Sequence, residues 1–158
     1  MKRKLIVTVF SAIALFITVP SCKKESNADE NKNETKISVY NSNESHNMGQ
    51  NCMSCHKQNG AGEGLFNAAG TVYDSLKTST FPNATIKLFT GPNGTGTLKY
   101  TIQVDAKGNF YTTDIIDFGT GLYPAAQGNS TTKFMSSVIL QGQCNGCHGV
   151  STDKIWTK

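Results

Sequence analysis

Two five-residue motifs constrain this chain more than anything else in it. Cys52, Met53, Ser54, Cys55 and His56 form one; Cys144, Asn145, Gly146, Cys147 and His148 form the other. Their flanks, "GQNCMSCH" and "GQCNGCH", differ by one residue before the first thiol. The chain has three histidines, and two of them directly follow these cysteine pairs. A gap of two residues lets one turn of backbone bring both thiols to the two vinyl groups of one haem. The next residue is then set under the ring, where its imidazole can bind iron. C-x-x-C-H therefore reads as a covalent haem attachment site. The spacing predicts two haem c groups, held by Cys52 and Cys55 and by Cys144 and Cys147. His56 and His148 are then the proximal iron ligands.

Other chemistries use the same thiols. Paired C-x-x-C units also bind zinc, and an exported protein can form disulfides. A thioredoxin-like redox centre needs a βαβ setting, and the chain has no βαβ pattern. Neither zinc nor a disulfide accounts for a histidine after both pairs. In these motifs the chain resembles the multihaem c-type cytochromes, and the resemblance covers the motifs only.

The N-terminus points to export. Lys2, Arg3 and Lys4 precede a mostly apolar run from Leu5 to Val19, too short for a comfortable transmembrane span and shaped like a secretory signal. "VPSC" closes it at Cys22. This junction resembles a bacterial lipobox, although Pro20 is unusual two residues before the cysteine. The resemblance implies a signal peptide over 1–21 and a lipidated Cys22, hence a peripheral membrane anchor facing the periplasm or the cell surface. Haem c is also attached outside the cytoplasm. Cleavage removes three of fifteen basic residues and leaves twelve against eleven acidic, a net charge near +1. That balance, with no basic stripe, gives no sign of nucleic-acid binding.

Residues 22–45 are rich in Lys, Glu, Asn and Ser and poor in large apolar residues, so they are expected to form a disordered tether. "KISVY" within it is compatible with a short strand. Residues 46–158 form the predicted dihaem domain, with a β-sandwich over about 66–140. "FNAAGTVYD", "ATIKLFT", "TLKYTIQVD" and "GNFYTTD" are short runs of β-branched and aromatic residues. "GPNGTG" and "DAKGN" punctuate them as hairpin turns. "TKFMSSVIL" reads as a further strand or a helical turn leading into the second motif. No long helical period occurs. The fold class expected is mainly β: a small antiparallel sandwich bracketed by two haem-attachment segments. The runs also resemble the carboxypeptidase regulatory-like (transthyretin-like) family. The matching positions are Gly70 and Val72; Pro82, Ala84, Ile86 and Leu88; and Asp105, Gly108 and Phe110. That likeness covers about 66–115 and implies a structural or binding module without catalysis.

Two haems ask for distal ligands. After His148 only ten residues remain, with no Met or His, so a second distal ligand must come from upstream. The candidates are His46, six residues before Cys52, and Met135, nine before Cys144, with Met48 in reserve. Met53, between two anchored thiols, is expected to point elsewhere. The function this implies is an exported, membrane-anchored dihaem c-type cytochrome passing electrons between redox partner proteins, and no enzyme. The alternatives are a haem enzyme with an open distal site, reducing peroxide or a nitrogen oxide, and a non-haem β-sandwich binding module held by disulfides or zinc.

Overall fold

A computed structural model describes residues 34–158 of the 158-residue chain. The signal peptide, Cys22 and the first half of the expected tether lie outside the described residues. The protein is mainly β, as the runs predict. Among the described residues the strands are β1 (Ala68–Tyr73), β2 (Thr85–Phe89), β3 (Leu98–Gln103), β4 (Asn109–Thr112), β5 (Tyr123–Gln127), β6 (Thr132–Phe134), β7 (Gly142–Gln143) and β8 (Ile155–Trp156).

They form two sheets. One runs β3-β2-β5-β6, antiparallel throughout. The other is built on β1, which pairs with β4 antiparallel on one edge and with β7 and β8 parallel on the other. β2 alternates in burial, with Ile86 and Leu88 inward and Lys87 outward, the period-2 pattern of a half-buried strand. Val72, Val104 and Phe110 are fully buried between the sheets, with Ile86, Leu88, Ile102 and Ala126 around them. Each such side chain contributes roughly 1.5–3 kcal/mol by leaving water.

The turn before β4 depends on two residues. Asp105 is buried, and its Oδ1 accepts the N–H groups of Lys107 and Asn109. Gly108 has φ of +83°, where an added Cβ would press on Thr80 and on the Val72 carbonyl. Gly70 is needed for a different reason. A Cβ there would meet the Phe110 ring at 2.6 Å and the Cys144 Cβ at 3.0 Å.

Two expectations need correction. Residues 34–45, expected to lie in a disordered tether over 22–45, instead line the outer edge of β4. Ile37 bridges Thr112, Lys36 and Thr113 exchange hydrogen bonds, and Ser38 is buried against Tyr111. Tyr40 and Asn41 continue the contact through Gln103 and Asn83. The main chain of Lys36 and Ser38, with the Ser38 hydroxyl, satisfies the open edge of β4, which composition alone does not announce. The sandwich also extends past residue 140. β7 and β8 complete the β1 sheet, so the second motif is built into the sandwich by parallel pairing and does not merely bracket an antiparallel one.

Candidate haem-binding site

The two motifs fold alike. Cys52–Ser54 and Cys144–Gly146 are both single 3-10 turns. The Cys52 carbonyl accepts the N–H groups of Cys55 and His56 at 3.1 and 3.0 Å. The Cys144 carbonyl accepts those of Cys147 and His148 at 3.2 and 3.0 Å. Each imidazole is then held the same way. The Nδ1 of His56 lies 2.6 Å from the Glu63 carbonyl oxygen, and that of His148 lies 2.6 Å from the Asp153 carbonyl oxygen. A carbonyl only accepts, so Nδ1 carries the proton in both rings. Nε2 keeps its lone pair, the tautomer that binds a metal ion.

β1 places both motifs. Its inward residues Ala68 and Val72 belong to the main core, which Cys144 joins; its outward Ala69 packs with Phe66, Tyr111, Cys52 and Met53. Met53 is thus turned against the protein. A buried polar network behind β1 joins the segments. Asn145 accepts the Thr71 N–H and donates to Thr71 Oγ1 and, at 3.0 Å, to the Gln50 carbonyl. Thr71 Oγ1 donates to Asn109 Oδ1 and accepts the Gly49 N–H. Asn109 Nδ2 donates to Ser45 Oγ and to the His46 carbonyl. Two motifs about ninety residues apart, and the loop carrying His46, therefore share one set of bonds.

His46 and His56 face the same cleft of about 770 Å³, walled by Phe66, Tyr111, Ile37 and the Cys52–Cys55 turn. Their ring centroids are 6.0 Å apart. Phe66 stacks on His56 at 4.1 Å and fixes the ring plane, with Tyr111 stacked behind it at 5.0 Å. Burial lowers the pKa of His56 below its ordinary value, against the opposing bond to Glu63, which favours the neutral ligand form. Lys36 at the rim pairs with Glu34 and Glu63, both at 3.2 Å.

The second motif is more open. Cys147 is exposed, while burial pushes the Cys144 thiol up to about 12. Leu140, Val150 and Leu76, three large aliphatic side chains, are 66–78% exposed. Leu140 and Val150 flank the motif, and Leu76 adjoins Lys77, which pairs with Asp153. Met135, expected as a distal ligand, follows β6 at the edge of the β3-β2-β5-β6 sheet, where its N–H donates to the Pro124 carbonyl. Met48 is exposed. Trp156 caps the β8 edge under Lys133, whose Nζ is 4.0 Å from the ring centre.

Cys52, Cys144 and Cys147 are free thiols, and Cys55 is disulfide-bonded. Among the described residues no three His, Cys, Asp or Glu side chains converge as a bare-ion site needs. The residues that support the imidazoles were not legible beforehand. Glu63 and Asp153 act through their carbonyls, which any residue type supplies, and Asn145 occupies a position the motif leaves free. Comparison of the chain with family models, with curated proteins and with solved structures finds no match.

Proposed function

We propose that this is an exported dihaem c-type cytochrome, anchored to a bacterial membrane through a lipid on Cys22, that carries electrons between redox partner proteins. The observation that carries the reading is the repeated local geometry. Both C-x-x-C-H motifs form the same turn, and both imidazoles are held at Nδ1 with Nε2 left to bind. Bound haem supplies a one-electron ferric–ferrous couple. The protein's own residues do the rest. Cys52, Cys55, Cys144 and Cys147 would hold the haems as thioethers, Glu63 and Asp153 would orient the imidazoles of His56 and His148, Phe66 would hold the plane of His56, and His46 would offer a second imidazole beside it. Asn145 and Gln50 keep the two motifs together, so transfer between them needs no domain motion. The sandwich serves as spacer and docking surface, in keeping with the family it resembles.

A non-haem β-sandwich binding module is the second reading, favoured by Cys144, whose thiol packs against the main core. Intact mass under denaturing conditions separates the two. The full-length chain is made in a host competent for cytochrome c maturation. A gain of two haem masses with reduced c-type bands is expected. A chain without added haem supports the binding module and ends the cytochrome reading.

A further inference from the structure

We infer that the turn Asp105–Asn109 is a positioning clamp for the loop that carries His46, and that Asp105 is the positioning residue that shapes it. The inference rests on the reading of His46 and His56 as partners in the first cleft and says what sets them there. Four hydrogen bonds run from this one turn to the loop. The Ala106 N–H donates to the Ser42 carbonyl at 2.8 Å, and Lys107 Nζ donates to the Ser45 carbonyl at 2.7 Å. Asn109 Nδ2 donates to Ser45 Oγ at 2.9 Å and to the His46 carbonyl at 3.2 Å. These bonds grip the main chain and the Ser45 hydroxyl, so the His46 imidazole is left to line the cleft. The far end of the loop is held separately, through the Gly49 N–H on Thr71 Oγ1 and the Gln50 carbonyl on Asn145. Asn109 ties the two ends together, because Thr71 Oγ1 donates to its Oδ1. The donors of the turn point at the loop only while the turn keeps its shape. Asp105 Oδ1 accepts the N–H groups of Lys107 and Asn109, both at 2.9 Å, and the Asp105 N–H donates to the Asn109 carbonyl at 2.8 Å. Asp105 Oδ2 is buried and has no hydrogen-bond partner among the described residues. One oxygen therefore carries the turn, and a side-chain amide offers the same acceptor. Asp105 lies outside the cleft wall, so it acts on His46 only through the turn.

Hydrogen exchange over residues 42–50 and the ferric spin state of the full-length protein in detergent test the clamp, with haem content read by intact mass. Ser42, Gly49 and Gln50 supply bonded amides to follow. Asp105→Ala should speed their exchange roughly tenfold, the scale of a lost buried hydrogen bond, while β2 and β5 keep their protection. It should also move the spin state towards that of His46→Ala, which sets the value for a lost imidazole. Asp105→Asn should restore both. Lys107→Met combined with Ser45→Ala removes two of the four bonds and leaves the turn itself intact. That pair should loosen the loop in the same way, and it decides the matter if Asp105→Ala does not fold. Loop exchange that stays unchanged, or that rises equally through both sheets, overturns the clamp while the haem mass upholds the dihaem reading. A loosened loop with an unmoved spin state also overturns it, since the turn then does not set His46. A chain without haem ends the dihaem reading, and loop exchange alone then upholds or overturns the clamp.

Discussion

Asn145 shows how much one residue inside a binding motif can decide. It is almost fully buried, and its amide is used at both ends, on Thr71 and on Gln50. Truncating one partner of a buried hydrogen bond leaves the other unsatisfied, at a cost of about 1–3 kcal/mol. Asn145→Ala should lose stability of that order in urea melts and loosen the Gln50 segment. An unchanged midpoint would show that water replaces the amide. C-x-x-C-H itself is readable because thiol spacing is local chemistry. Asn145 is not, because its partners Gln50 and Thr71 are 95 and 74 positions away. The same holds for His46. Sequence places it six residues before the first thiol, but it is long-range bonds, from Asn109 to Ser45 and the His46 carbonyl and from Gly49 to Thr71, that bring its loop to the cleft beside His56.

Among the elements, β1 carries the most. The runs that predict β1 to β4 are rich in β-branched and aromatic residues, and those strands form where expected. β5, with sequence YPAAQ, was not anticipated. Its proline and alanines have low strand propensity, and it exists because β2 and β6 pair with it on either side. β7 and β8 are two residues each and carry no periodic signal. Their pairing with β1 depends on close approach at Gly142, where an added Cβ would strike the Asn67 carbonyl and Ala68. Gly142→Val should therefore break the parallel pairing that seats the second motif. The expected loss is about 2 kcal/mol or more, the scale of an overpacked site. Hydrogen exchange should show loss of protection around Cys144 with β2 and β3 unaffected. Equal loosening of both sheets would mean that the second motif is part of one cooperative unit.

At the scale of the molecule, both motifs meet on one central strand although they lie near opposite ends of the described chain. Chain ends are often close in a small domain. Here the closure is specific, through β7, β8 and the Asn145–Gln50 bond. Stability of the chain should depend on pH through His56. Burial sets its folded pKa below the unfolded value near 6.5. The unfolded chain then binds the proton more readily, so this contribution is present above pH 6.5 and is lost as the pH falls through the lower folded value. Melts at pH 8 and pH 5 should show the acid loss, and His56→Asn should reduce it. An equal loss in that variant would assign the effect to other groups.

By itself the sequence determined the two C-x-x-C-H motifs, the mainly β class and four strands. Each is written in short range, by the spacing of thiols or the alternation of side chains. Tertiary structure decided the rest. It laid residues 34–45 along β4, paired Gly142 and Ile155 with β1, and set His46 across the cleft from His56. These arrangements depend on which unpaired edges and buried amides meet across the fold. Contacts between residues so far apart in the chain leave no local pattern to read.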